Sequence, residues 1–421
     1  MRKKVSLTMV KNEAAIIESF IRYNSKFLDC MVIIDNGCTD GTMRIIDNLK
    51  DEGYNLIYYN ESTVSYEQII IENKYMFKII EEMDSDIIIP LDADEFITGD
   101  NNPNDILERI PLDRVYYMKW RTYVITKSDS REEKFIPSRI RHYRLDSNER
   151  CEEGKEVTKV IIPTKLAQTF DIVMNAGHHS VMEKKGLLIE KITELKIAHF
   201  PTTSKEQFES DIYCSYTNYI TWLTRSENDG KHKNRMYHRI RNTEYDIEDL
   251  SPTYGFSDME FKQFNINEDV IYGPINLSHC NNIEIKYSEL SKVNTFDNVL
   301  NLAQTLAIRC YNLERDKQSQ LGVPKILVYG TGQRAKNLLY GINKNCVDIR
   351  AYIDSDARKE YTIFQERLII FPERIKFFIY DKIVIASTFY DEIYDVLIKH
   401  GISPDKIVDK NWLVRLCVSA R

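Results

Sequence analysis

Three acids stand within four residues at Asp92-Ala93-Asp94-Glu95, directly after the apolar run Ile87–Leu91. Carboxylates crowded at the end of a buried strand repel one another unless a cation neutralises them. Hard oxygen ligands suit Mg²⁺ or Mn²⁺ bridging phosphates. The D-x-D spacing lets one carboxylate hold the metal while the other reaches water or a ribose hydroxyl. An exposed acidic loop is the bland reading, and the buried strand before it argues against that. A second polar cluster combines Lys11-Asn12-Glu13 with Asp35-Asn36-Gly37-Cys38-Thr39-Asp40-Gly41-Thr42. Thr39 or Asp40 could simply cap the following helix. The sharper reading is a nucleoside cradle, with Asp35 accepting the N3 hydrogen of a uracil ring.

These clusters need a scaffold. Over residues 1–125 short apolar runs (Val5–Val10, Met31–Ile34, Leu56–Tyr59, Ile87–Leu91) alternate with helical spacing (Glu13–Tyr23, Thr42–Leu49, Gln68–Met83). That alternation predicts βαβ units and a mainly parallel sheet. Ligands of such sheets bind at the carboxyl ends of the strands, where both polar clusters fall. Residues 126–200 hold a basic cluster (Arg139, Arg141, His142, Arg144), two short strands (Val157–Ile162 and Leu187–Ile192) and Gly177-His178-His179 between them. Trp120 and Tyr123 could stack on a sugar ring, or fill core and rim positions. Residues 201–322 are polar, Tyr-rich and helical in pattern, clearest over Phe208–Leu223 and Val299–Leu313.

From 323 a βαβ pattern restarts. Ile326–Tyr329 leads into Gly330-Thr331-Gly332-Gln333-Arg334-Ala335, and Asp354 ends the next strand. The glycines allow a tight turn and close approach of a phosphate to a helix N-terminus. Gly330, Gly332 and Asp354 are the candidate nucleotide-binding residues, and the alternative is a fold kept for packing or dimerisation. The expected division is therefore 1–200, 201–322 and 323–421.

Composition narrows the function classes. The chain has 421 residues, with Lys plus Arg 57 against Asp plus Glu 64, a net charge of −7. A nucleic-acid protein relying on a globally basic surface is excluded. No run of 18 apolar residues exists, so no transmembrane helix is expected. The apolar stretch after Met1-Arg2-Lys3-Lys4 is too short for a signal core, which gives a cytoplasmic expectation, with work at the inner membrane face left open. The eight cysteines form no CxxC pair and read as reduced core residues. Abundant Ile, Lys, Asn and Tyr hint at an AT-rich bacterial genome.

Taken in order, M-V-K-N-E, D-N-G-C-T-D-G-T and L-D-A-D-E-F resemble the family 2-like bacterial glycosyltransferases with a GT-A fold. The resemblance is strong over residues 5–100 and continues through Ile197-Ala198-His199-Phe200-Pro201 and Ser204–Phe208. It implies that Asp92 and Asp94 form the metal and ribose-diphosphate site. Asn12, Glu13 and Asp35 would line the nucleoside pocket, and a late histidine would complete the metal site, His199 first and His179 second. Arg141, with Arg139 and Arg144, would steady the leaving diphosphate. The family's general base has no clear counterpart; Asp171, Glu152, Glu153 and Glu95 are the candidates, and Asp94 with Glu95 are taken as the catalytic pair. Residues 323–421 resemble small Rossmann-like domains appended to bacterial sugar-modifying enzymes.

The reading is therefore an α/β protein with a GT-A type mixed sheet, a helical bridge and a C-terminal Rossmann-like domain. Its expected activity is Mn²⁺- or Mg²⁺-dependent transfer of a sugar from a nucleoside-diphosphate donor, a UDP-sugar such as UDP-N-acetylglucosamine. The acceptor would be a hydroxyl of a cell-surface glycan or of a protein Ser or Thr. Glucose and galactose stay open, as do inversion and a homo-oligomer. The alternatives are an oxidoreductase or epimerase built on the Gly330 motif, and a non-catalytic nucleotide-sugar-binding protein.

Overall fold

The computed structural model describes residues 1–61, 68–146, 156–221, 231–242, 244–256, 258–280, 282–318, 322–340, 344–356, 359–360 and 362–418. The chain divides into two compact units, one running to Leu302 and the other from Ala303. The division falls inside the helix Thr295–Gln318. Among the described residues no helix is long and apolar enough to cross a membrane.

The first unit is built on one ten-stranded mixed sheet. Its strands are β1 (Lys4–Val10), β2 (Cys30–Asp35), β3 (Leu56–Asn60), β4 (Ile87–Pro90), β5 (Glu95–Gly99), β6 (Val115–Val124), β7 (His142–Arg144), β8 (Thr158–Pro163), β9 (Ile189–His199) and β10 (Val270–Tyr272). The main order is β10-β7-β6-β8-β4-β1-β2-β3, and β9 joins β6 to β5. Strands β4, β1, β2 and β3 are parallel. β8 runs antiparallel to β4 and β6. A parallel nucleotide-type half continued by antiparallel strands, with helices packed on it, is a GT-A type α/β architecture.

Register explains where the polar clusters go. Val10 pairs with Asp35, Asp35 with Asn60, and Leu7 with Pro90. The segments leaving β1, β2 and β4 therefore emerge together at one sheet edge, carrying Asn12-Glu13, Asp35–Thr42 and Asp92–Glu95. The central strands are near-continuous apolar runs because both of their faces are covered. Ile33, Ile87, Ile89 and Phe96 pack one core, and Val32, Ile34, Ile88 and Met76 the other.

The helix expected over Glu13–Tyr23 begins only at Ile17. Asn12 takes a left-handed backbone (φ 63), which no helix tolerates, and Glu13 carbonyl accepts from Ile16 and Ile17. Asp40 acts at the start of the next helix, Thr42–Asp51, where its Oδ1 accepts from Thr42 N at 3.0 Å and Thr42 Oγ1 at 2.6 Å. The strand expected over Leu187–Ile192 runs on to His199. Its interspersed Glu190, Lys191, Glu194 and Lys196 hide that continuity from a search for apolar runs.

The second unit holds a six-stranded sheet: β11 (Lys325–Tyr329), β12 (Asp348–Ile353), β13 (Ile363–Phe364), β14 (Arg367–Ile370), β15 (Lys382–Ile385) and β16 (Ile407–Asp409), in order β13-β14-β12-β11-β15-β16. All pairs except β13–β14 are parallel. The first strand of this second, mainly parallel sheet, β11, sits centrally between β12 and β15. Gly330 follows β11 at φ 109, and a Cβ there would press on Ala386 O at 3.3 Å. The turn therefore needs glycine on two counts.

Candidate active site

Lys159 is the residue around which the acids are arranged. It lies on β8 with its side chain fully buried. Its Nζ is 2.6 Å from Asp92 Oδ2 and 3.0 Å from Glu95 Oε1. Glu95 Oε2 in turn accepts from the backbone N of Asp92 at 3.0 Å. Burial alone would favour the neutral acid, but Lys159 outweighs it and pulls the Asp92 carboxyl down to about 2. For Glu95 burial dominates and raises the carboxyl well above its ordinary range. The same two acids keep the Lys159 ammonium charged.

A second buried pair backs this ammonium. His178 Nε2 lies 2.5 Å from Glu72 Oε2, and His178 Nδ1 lies 3.5 Å from Lys159 Nζ. Glu72, Asp92 and His178 offer ligand atoms within 4.8 Å of one another, the spacing of a metal site. Lys159 stands against that assignment. Its ammonium already serves Asp92 and faces His178, and a divalent ion beside it would meet strong repulsion in a buried place. The set is held together by a protein cation.

Asp94 faces different partners. Its Oδ2 is 3.0 Å from His199 Nε2. The His199 ring packs on Trp120, centroids 4.1 Å apart, and its Nδ1 is buried with no hydrogen-bond partner among the described residues. His179 packs on the same indole at 5.2 Å. Its Nδ1 donates to Thr158 carbonyl at 2.9 Å, which leaves Nε2 as the lone-pair nitrogen. Burial, then Lys159, lowers the His179 pKa and favours this neutral form. The two histidines thus divide between the aspartates: His199 bonds Asp94, and His179 lies in the field of Lys159 and Asp92.

Glu13 adds negative charge. Burial, then Asp211, Asp94, Asp40 and Asp92 in falling order, raise its carboxyl well above the ordinary range. Asp211 and Asp94 also raise Tyr254, after burial. Asp211, on the helix Lys205–Thr221, accepts from Gln207 Nε2. Repulsion in this acidic pocket opposes folding, so Glu13→Gln is expected to raise the thermal midpoint by several degrees at pH 7 in metal-free buffer. The sign follows from a raised folded pKa: the destabilisation is complete above that pKa, shrinks as pH falls below it and is gone only below the unfolded value near 4.5. Differential scanning calorimetry of both proteins at pH 7 and pH 5 checks it, and the gap should shrink at the lower pH.

The loop groups are largely engaged in shaping the site. Asp35 is nearly buried, and its Oδ1 accepts from Gly37 N at 2.9 Å and Cys38 N at 2.7 Å. Asn12 Oδ1 accepts from Thr39 N at 2.8 Å, and Asp40 Oδ2 from Ala14 N at 3.2 Å. These bonds fasten the β1 and β2 exits together.

Among the arginines, Arg139 donates to Thr203 carbonyl, and Arg144 donates to the carbonyls of Pro252 and Tyr254 while its guanidinium lies 4.2 Å over Phe256. Arg141 lies 5.7 Å over the Tyr272 ring. Tyr123 belongs to the core: it stacks on Phe200 and donates to Gly273 carbonyl at 2.9 Å. Of the candidate bases, Glu152 and Glu153 lie outside the described residues. Asp171 is an exposed helix C-cap with φ 46. Glu95 is wholly enclosed with Lys159, so it positions Asp92 and does not meet an acceptor.

In the second unit Asp354 is already bonded on both oxygens. Oδ2 accepts from Thr331 Oγ1 and from Lys359 Nζ at 2.8 Å, and Oδ1 from Asp356 N at 3.0 Å.

A family model described as C2185-like, N-terminal, matches residues 322–408. No curated protein matches the chain. Among solved structures, the mannosyltransferase PcManGT from Pyrobaculum calidifontis, bound to GDP-Man and Mn²⁺, is 11% identical over 60% of this chain and 70% of its own, with a TM-score of 0.30. Glucosyl-3-phosphoglycerate synthase from Mycobacterium tuberculosis, bound to Mn²⁺, UDP and glucosyl-3-phosphoglycerate, is 19% identical over 28% of this chain and 44% of its own, at 0.20. RSP in complex with β-NAD⁺ and operator DNA is 14% identical over 28% of this chain and 58% of its own, at 0.17. The chain thus spans about half the length of the RSP and glucosyl-3-phosphoglycerate synthase structures that it matches. Scores this low carry no argument beyond themselves, and the strand order and register define the fold.

The sequence reading missed Lys159, His178, Glu72, Asp211 and Tyr254. Lys159 had a signal: a lone charge inside the apolar strand Thr158-Lys159-Val160-Ile161-Ile162, next to a sheet that ends in acids. Asp211 stands between buried Phe208 and Ile212, an acid on the inner side of its helix. Glu72 and His178 are brought together only by the fold.

Proposed function

We propose that the chain is a glycosyltransferase that uses a nucleoside-diphosphate sugar, a UDP-sugar first, with a divalent cation. The observation that carries this is the Asp94–His199 pair at the carboxyl edge of β4, beside a second aspartate, Asp92, that Lys159 keeps ionised. The donor set fits a hard divalent ion. Asp94 offers a partly exposed carboxylate, His199 an imidazole, and Glu13, raised by burial first and then by the surrounding acids, lies among charges that a cation would relieve. When bound, the ion would supply charge stabilisation to the departing diphosphate.

The protein's own groups have the following roles in this reading. Asn12, Glu13 and the Asp35 turn form the wall for the nucleoside. Asp92, held by Lys159, presents Oδ1, which has no hydrogen-bond partner among the described residues, toward ribose or diphosphate. Arg141 adds positive charge for the leaving group. The sugar–diphosphate C–O bond breaks with its electrons passing to the diphosphate, and the acceptor oxygen bonds the sugar carbon. The acceptor's proton goes to a carboxylate or to the departing diphosphate, and Asp211, on the helix Lys205–Thr221 and among the acids whose charge reaches Glu13, is the carboxylate we put to the test. Asp211→Asn should lower kcat about 10²–10⁴-fold with KM for the donor little changed; a wild-type kcat would remove Asp211 from this role. A glycan or protein hydroxyl is the acceptor class, and the cytoplasmic face is the place we infer.

The test is a thermal-shift screen of UDP, GDP, CDP, NAD⁺ and NADH, each with and without Mn²⁺. A ligand that binds the native state raises the midpoint by mass action. The reading requires a rise with UDP that depends on Mn²⁺ and vanishes in Asp94→Asn. A rise with NAD⁺ or NADH alone would overturn it and move attention to Gly330. The internal bonding of Asp354 argues against that outcome, because a ribose there would have to displace Lys359 and Thr331.

A further inference from the structure

A second polar cavity lies on the opposite face of the β5–β9–β6 strands from His199. Successive side chains of a strand point to opposite faces. Trp120 packs on His199, so Arg121 projects to the other side. There Arg121, Tyr123, Tyr143, Lys196, Asp100 and Asn276 line a cavity of about 220 Å³, roofed by Gly273–Asn276. The roof is tied down by Tyr123 Oη donating to Gly273 carbonyl at 2.9 Å and Asn276 Nδ2 donating to Asp100 carbonyl at 3.0 Å. At Gly273 an added Cβ would fall 2.7 Å from Tyr143 Cε1, so a side chain there would crowd this wall.

The charges of this cavity do not balance. Register sets Lys196 beside Lys119 and Arg121 beside Ala198, so alternation brings three cations, Lys119, Arg121 and Lys196, onto one face. Like charges directly opposite destabilise a sheet. Lys119 has Asp146 at 3.6 Å. Among the described residues Lys196 has only the exposed Asp100, at 4.0 Å. Arg121 has no carboxylate and no hydrogen-bond partner among the described residues. Its guanidinium lies 4.0 Å over the Tyr143 ring, and its Nε is sealed from solvent without an acceptor. Arg121 as a whole is half-buried, so it is this Nε that is shut off from water, and a sealed donor is costly unless something accepts from it.

We propose that this cavity binds a phosphoryl-type oxyanion, with Arg121 as the fork that grips two of its oxygens and Lys196 as the second cation. Arginine suits that role because its planar donors match phosphate oxygens. Inorganic phosphate and the phosphoryl group of a phosphorylated sugar share this chemistry. The inference is independent of the glycosyltransferase reading, because neither Asp92 nor Asp94 takes part.

The test is isothermal titration of the full chain with sodium phosphate, and separately with glucose 1-phosphate, in buffer containing EDTA. Wild type and Asp94→Asn should bind alike, and Arg121→Met and Lys196→Met should each bind about tenfold or more weakly. Tighter binding of glucose 1-phosphate would identify a phosphorylated sugar as the ligand, and equal binding a free phosphate site. Absence of phosphate binding by wild type at about 10 mM, roughly tenfold above a millimolar Kd, would overturn the proposal. Wild-type affinity in folded Arg121→Met would do so too. Should Arg121→Met fail to fold, Arg121→Lys and Lys196→Met decide the matter, and undiminished binding by Lys196→Met would refute it.

Discussion

Asp94→Asn is expected to lower Mn²⁺-dependent UDP-sugar turnover by about 10³-fold or more while leaving the apo protein as stable as wild type. Loss of a charge-stabilising group at a departing oxyanion has effects of about this size. The stability half of the expectation comes from the surroundings. Asp94 is half of a hydrogen bond to His199 but also one of the acids that stress Glu13. Removing its charge gains about what it loses. Asp92→Asn should behave differently, losing both activity and stability, because it deprives buried Lys159 of its shortest ion pair. UDP-sugar hydrolysis in Mn²⁺ and urea unfolding without metal, run on both variants, separate the cases. Equal stability losses in the two would show that the aspartates do not have the separate partners described above.

Lys159→Met should produce the largest loss of stability of any single change at the site, about 3–5 kcal/mol at pH 7, the usual consequence of leaving buried charge unpaired. The variant keeps Asp92 and Glu95 enclosed with no cation between them. Its deficit should narrow in acid. The Asp92 carboxyl sits at about 2 in the folded protein and near 3.9 when unfolded, so the stability that Lys159 supplies through it is present above about pH 4 and lost as pH falls toward 2. Lys159→Met in an Asp92→Asn, Glu95→Gln background should recover much of the loss, since no buried acid then lacks a partner. Urea unfolding at pH 7 and pH 3 measures all of these. A Lys159→Met protein within 1 kcal/mol of wild type, about the value of an exposed pair, would mean the ammonium does not hold the acids together.

How far the residues alone led can be seen in particular elements. The parallel strands were visible because β2 and β4 are nearly unbroken apolar runs and β1 a short β-branched and apolar one, and their ends located the acids. β5 and β6 were not, since Glu95–Gly99 is too short and too close to the acid cluster to stand out, and Val115–Val124 mixes Lys119, Trp120 and Arg121 into its pattern. The site followed the same division. Asn12, Asp35, Asp92 and Asp94 are near in sequence to the strand ends that carry them, and so were legible. Lys159, His178 and Glu72 meet only after β8 has come to lie antiparallel to β4 and the helix Gln68–Glu82 has packed beneath. Distances of that kind are set by pairing across the sheet, which spacing along the chain does not encode. The cysteines show a smaller case: Cys30, Cys38 and Cys417 are buried as expected, but Cys310 is exposed.

One contact in the first unit bears on the order in which the chain can mature. Arg22 and Glu18 form a buried pair on the helix Ile17–Asn24, and Arg22 also grips Glu52 at 2.8 Å. Glu18 spends its oxygens on the backbone N of Lys286 at 2.8 Å and of Tyr287 at 2.9 Å. Tyr287 stands 5.7 Å from the Arg22 guanidinium, and Leu290 passes so near Gly41 that no side chain fits there. The first helix of the chain is therefore finished by residues nearly 270 positions later. During synthesis the nascent sheet must wait, with its earliest ion pair open to water, until that distant segment leaves the ribosome and seals it. Any shortened chain that stops near residue 200 would carry the acids of the site but leave this seam unstitched, exposing a charged pair that the intact protein hides.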